Sequence, residues 1–101
     1  MERPTAAREI TVGEAMAIAI GYLQQGELKE AGALLARILE LFPTHPDALH
    51  YSGMLAFREG HPDRAVALMR GSLEQAPDQS DWHSNLGIVL QAQGDLDGAA
   101  A

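Results

Sequence analysis

Four histidines, His45, His50, His61 and His83, are the side chains of this sequence best suited to holding a metal or moving a proton near neutral pH. Their spacing serves neither task. A helix brings two metal ligands onto one face when they stand three or four positions apart, whereas His45 and His50 are five apart and no acid completes a histidine motif. No serine sits in a nucleophile-elbow sequence, and no glycine-rich loop has the spacing that cradles phosphate. Cysteine is absent, which removes thiolate ligands, thiol chemistry and disulfides together and fits a reducing, cytoplasmic setting. Catalysis, a cofactor and a bound metal are therefore not expected.

Charge narrows the partners. Seven Lys and Arg stand against fourteen Asp and Glu in 101 residues, a net charge of −7 that repels phosphate backbones and anionic lipid surfaces. Nucleic acid and membrane are thus excluded as expected partners. No apolar run reaches the roughly 18 residues of a membrane span. The stretch 15–23 follows Arg3 and Arg8 in the manner of a short secretory leader, but Glu2, Glu9 and Glu14 spoil the charge pattern, and it reads as a buried helix. A protein or peptide is the partner class that remains.

The elements that must present a surface to such a partner are written as a repeat. Gly26, Gly60 and Gly94 stand 34 apart, as do Ala31, Ala65 and Ala99, and Pro43 and Pro77. Small residues and helix stops recurring at that period mark an all-α solenoid of helix pairs. Residues 1–10 lack periodicity and are expected to form a flexible lead-in. Thr11 and Glu14 form a capping box that opens helix one, whose Ala15, Ile18, Ala19 and Tyr22 turn inward before Gly26 closes it. Helix two, about 27–41, ends before Pro43. Helix three, about 46–59, ends at Gly60, and helix four runs from Pro62 to a stop before Pro77. Ser80 or Asp81 caps helix five, which carries Leu86, Gly87 and Leu90 and ends at Gly94, leaving 95–101 as a truncated sixth helix. Ala19, Gly53 and Gly87 keep one site on each first helix small, so that paired backbones can approach. His-Pro-Asp occurs twice, at His45 and at His61; it resembles the loop of J-domain proteins but stands each time where a helix starts, with proline and an acid in the first turn.

This register resembles the tetratricopeptide repeat over 12–101. Its first unit, 11–45, carries Ala15, Ile18-Ala19, Tyr22, Ala31, Leu35 and Pro43; its second, 46–79, carries Leu49, Ser52-Gly53, Ala56, Ala65, Met69 and Pro77. The truncated third, 80–101, carries His83, Leu86-Gly87, Leu90 and Ala99. The resemblance implies a right-handed solenoid of antiparallel helix pairs, five helices plus the truncated sixth. It also implies a non-catalytic protein-interaction module, the fragment of a longer array.

Each first helix bears a second stripe about 120° from its pairing face. In the family such positions line a concave groove, which here implies Met16, Ile20 and Leu23, then His50, Met54 and Phe57, then Asn85 and Ile88. A helical or extended apolar peptide would fit it, and His50 would make binding pH-sensitive. A second use of the first stripe is packing under the N-terminal segment or against another copy. Co-chaperones of the family clamp a C-terminal carboxylate with Lys, Asn and Arg, but the matching sites are Met16, Ile20, Tyr51, Asp81 and Asn85, none a cation. The third unit is similar to repeats of O-linked N-acetylglucosaminyltransferase-like proteins, where asparagine at the position of Asn85 contacts peptide backbone, which makes the repeat arm of such an enzyme an alternative; a bacterial secretion chaperone is another. Helix five, left bare by the short sixth, predicts a homodimer through that terminal helix.

Overall fold

A computed structural model describes the backbone of residues 10–100 and side chains as far as Asp95. The lead-in, apart from Ile10, and the Ala99 register lie outside the described side chains. Five helices follow in order: α1 Val12–Gln24, α2 Leu28–Leu41, α3 Pro46–Arg58, α4 Pro62–Gln75 and α5 Ser80–Ala100. The capping box is present, with Thr11 Oγ1 accepting from the Glu14 backbone N–H at 3.0 Å and Glu14 Oε1 from the Thr11 N–H at 2.8 Å. Both His-Pro-Asp tripeptides are helix starts, with proline in the first turn. His45 Nδ1 additionally accepts from the Ala48 N–H at 3.2 Å, which makes His45 the N-cap of α3.

The two hairpin bends are copies of one another. Gly26 and Gly60 take φ of 77° and 86°, the left-handed region that side chains resist. Around the first, the Glu27 N–H reaches the Tyr22 carbonyl and the Gly26 N–H the Leu23 carbonyl; around the second, His61 reaches Ala56 and Gly60 reaches Phe57. This is the Schellman arrangement, which satisfies carbonyls that a helix end would otherwise leave bare. A Cβ at Gly60 would meet nothing within 4 Å. Gly60→Ala is therefore expected to cost about 1–2 kcal/mol through backbone strain alone, read as a lowered urea midpoint with an unchanged slope.

Helix five departs from the repeat at both ends. Gln79 supplies the carbonyl that the Trp82 and His83 N–H groups use, so Ser80 lies within the first turn and is not its cap. At the other end, α5 runs through Gly94 to Ala100 without a bend, and Gly94 lacks the positive φ of Gly26 and Gly60. The expected sixth helix is thus a straight extension of the fifth. Nucleating a new helix fixes several residues for one hydrogen bond, whereas lengthening an existing one gains a bond per residue. Continuing α5 through Gly94 is therefore the less costly course.

The helices pack α1 on α2, α3 on α4, α2 on α3, α4 on α5, and α1 on α3. Two buried clusters result. The first holds Ala15, Met16, Ala19, Leu23, Ala31, Leu35, Ile38, Ala48 and Leu55; the second holds Ala56, Ala65, Val66, Met69 and Val89, with Leu86 and Leu90 half-buried against it. Helix α3 feeds both. At Gly53 α3 lies close against α4: a Cβ there would lie 2.5 Å from Met69 Cγ and 3.1 Å from the Ala65 carbonyl oxygen. On α1 the expected face is rotated, since Ile18 is 45% exposed while Met16 and Leu23 are buried. The cause is the α1–α3 seam, which covers a stripe that pairing with α2 alone would leave open.

Candidate functional site

The first helices of successive pairs, α1, α3 and α5, form one wall of the molecule. Two recesses lie along it. One, of about 180 Å³, is lined by Ile20, Leu23, Gln24, Tyr51, Met54 and Arg58. The next, of about 260 Å³, is lined by Met54, Phe57, Arg58, Met69, Asn85, Ile88 and Val89. Met54 and Arg58 belong to both, so the two recesses adjoin along the wall and together make a trough from α1 to α5.

Six of the eight residues expected on this surface line the trough: Ile20, Leu23, Met54, Phe57, Asn85 and Ile88. Leu23 does so only from below, being buried in the first cluster, and Ile88 is the most exposed of them. Met16 and His50 do not line it. Met16 is buried in the first cluster, which draws on α1, α2 and α3, and His50 is 1% exposed, inside the wall between α3 and α5.

His50 is held by aromatic and amide contacts. Its ring stacks on Trp82 with centroids 4.4 Å apart and planes 9° from parallel, and meets the edge of Tyr51 at 5.1 Å. Asn85 Nδ2 lies 3.3 Å from His50 Nε2, while His50 Nδ1 is buried without a hydrogen-bond partner. Burial disfavours the imidazolium and pulls the His50 pKa down to about 4, against the opposing pull of the Asp47 carboxylate. Burial and Asp47 together push the Tyr51 hydroxyl above its usual value. The titration of His50 therefore bears on the α3–α5 contact and not on the exposed trough.

Five residues line the recesses without having been expected in the groove, Gln24, Tyr51, Arg58, Met69 and Val89, and of these Arg58 and Tyr51 bear most on the site. Both were reachable by helix arithmetic, since Tyr51 lies three residues before Met54 and Arg58 four after it. Arg58 stands in the last turn of α3. Its Nη1 donates to the Leu23 carbonyl at 2.6 Å, tying the end of α3 to the end of α1.

Elsewhere, a recess of about 310 Å³ sits at the outer end of α1 and α2, edged by Ile10, Leu41 and Phe42. The outward face of α5 shows Ser80, Ser84, Gly87, Gln91 and Asp95 besides Ile88, and Leu86 and Leu90 are half-buried. Among those residues no three His, Asp or Glu side chains gather as metal ligands, and no helix is long and apolar enough to cross a membrane.

A family model described as the tetratricopeptide repeat matches the chain twice, over residues 22–84 and 56–101. Tetratricopeptide repeat protein 7A of Homo sapiens is 33% identical over 73 residues, which is 72% of this chain and 8% of the human protein. A TPR repeat-containing protein of Pseudomonas aeruginosa is 39% identical over 54 residues, 54% of this chain and 22% of the bacterial one. The chain thus spans under a quarter of the length of either relative.

Proposed function

Because this chain belongs to the tetratricopeptide repeat family, whose repeats mediate protein–protein interaction, we propose that it is a non-catalytic docking module that takes a helical or extended apolar peptide along the α1–α3–α5 trough. Two helix-pair units, 11–45 and 46–79, and a partial third from residue 80 supply the wall. The observation that carries this reading is that the two recesses adjoin at Met54 and Arg58. Met54 is an adaptable lining group, able to follow peptides of different shape.

The alternative of a transferase repeat arm needs Asn85 turned to a peptide backbone. Asn85 lines the second recess, with its amide nitrogen 3.3 Å from His50 Nε2, but Ala17 and Tyr51 stand at the equivalent sites of the other two units, so no asparagine ladder runs along the wall, which favours the docking module. A secretion chaperone would use the same trough for an apolar client and is a special case of the same reading.

The test is selection of phage-displayed peptides on the 101-residue chain, followed by affinity measurement on Met54→Glu. A carboxylate placed in an apolar recess must be desolvated by the bound peptide, so binding is expected to weaken at least about tenfold, while the far-UV helical signal stays intact because Met54 is only half-buried. Peptides that bind Met54→Glu as well as the parent chain would rule the trough out.

A further inference from the structure

The trough is apolar at both ends and cationic in its middle. Among the described residues, Arg58 is the one charged side chain lining either recess, and it lines both. Below it are Ile20 and Tyr51, and beyond it Phe57 and Ile88. In a chain of net charge −7, whose acids outnumber its bases two to one, this is an unusual place for a positive charge.

The capping bond to Leu23 accounts for only part of the guanidinium. That bond uses one N–H of Nη1, whereas the group carries five donors in a planar fork. No carboxylate pairs with Arg58 among the described residues, although Glu59 is its neighbour in sequence; Glu59 lines a recess on the far side of α3, with Arg64 and Leu68. The bond to Leu23 fixes the fork in position without neutralising it. A fork held in this way loses less freedom on binding than a free arginine, and carboxylate is the group whose geometry it matches.

Resting on the docking reading above, we propose that the peptide this trough takes is an amphipathic segment with one Asp or Glu set between apolar side chains, its carboxylate received by the open edge of Arg58. The apolar side chains enter the two recesses and the acid sits over the residues that the recesses share. The inner wall then selects its partner by a central charge, while the surrounding acidic surface repels peptides that carry additional carboxylates outside the trough.

Random twelve-residue peptides displayed on phage and selected on the full chain test this. Selected peptides are expected to concentrate Asp or Glu at one position flanked by apolar residues. Replacing that acid by its amide is expected to weaken binding about tenfold on the parent chain, as loss of a charge-assisted hydrogen bond does, and to have no effect on Arg58→Gln. Arg58→Lys, which keeps the charge and a donor toward Leu23, is expected to retain part of the preference, and thermal melts of both variants separate a lost cap from a lost contact. Trough-dependent peptides, defined by their sensitivity to Met54→Glu, that show no acid preference, or that weaken equally on Arg58→Gln when the acid is removed, would overturn the role of Arg58 and leave the docking reading standing. Peptides indifferent to Met54→Glu would bring down both.

Discussion

Gly53→Leu is expected to destabilise the chain by about 3 kcal/mol, the upper end of what overpacking a tight core does. Even a Cβ at this site would lie 2.5 Å from Met69 Cγ and 3.1 Å from the Ala65 carbonyl oxygen. Neither neighbour can give way easily: Met69 is 1% exposed, and the other atom is backbone. Leucine is the better helix former by somewhat under 1 kcal/mol, which opposes the clash but does not offset it. In a domain of this size, with a total stability of about 5–15 kcal/mol, the loss is a large share. Gly87 occupies the same place in the next pair, yet a Cβ there meets nothing within 4 Å. Gly87→Ala is accordingly expected to raise stability by about 0.5–1 kcal/mol. Urea titrations followed at 222 nm measure both, and equal shifts of the same sign at the two sites would mean that the α3–α4 approach is looser than described.

The second large effect is a loss of stability on acidification through His50. An unfolded histidine takes up its proton near 6.5, whereas burial between α3 and α5 holds the folded value at about 4. Between those values the unfolded state binds the proton and the native state does not, so stability is fullest above pH 6.5, falls as pH drops toward 4, and stops falling on this account below it. The span corresponds to about 3 kcal/mol. Carboxylates titrate in the same region, so the contribution is isolated by comparison with His50→Phe. That variant keeps a flat ring for Trp82 and removes both the unpartnered Nδ1 and the titration. Its stability difference from the parent chain is expected to shift in its favour by about 3 kcal/mol between pH 7 and pH 4; parallel pH profiles would show that His50 charges without opening the wall.

The fold was legible because it is written twice in local signals. Thr11 with Glu14, Gly26 and Gly60, and Pro46 and Pro62 each specify a helix end through neighbouring atoms, and each end lies where those residues put it. Gly94 misled because glycine permits a bend without requiring one; what decides is whether a second helix is available to pack after it. The trough was legible in part. A stripe drawn on a single helix assigns Met16, Ile20 and Leu23 to one surface, but the seam between α1 and α3 covers the first and third and leaves Ile20 at the edge. His50 went inside for the same reason, since the residues that cover it, Trp82 and Asn85, are 32 and 35 positions away. Arg58 lay within reach of the spacing from Met54, but its bond to Leu23 also spans 35 positions, and no local pattern records a contact of that length.

Trp82, the one tryptophan of the chain, is 8% exposed and lies flat against His50. The molecule therefore carries its own optical gauge at the joint between its third and fifth helices. Indole emission is blue while the ring is dry and reddens when water arrives, and an imidazolium against its face quenches it. Detachment of the last helix and protonation beneath it would thus leave separate marks on one spectrum, in colour and in brightness, without any label being added.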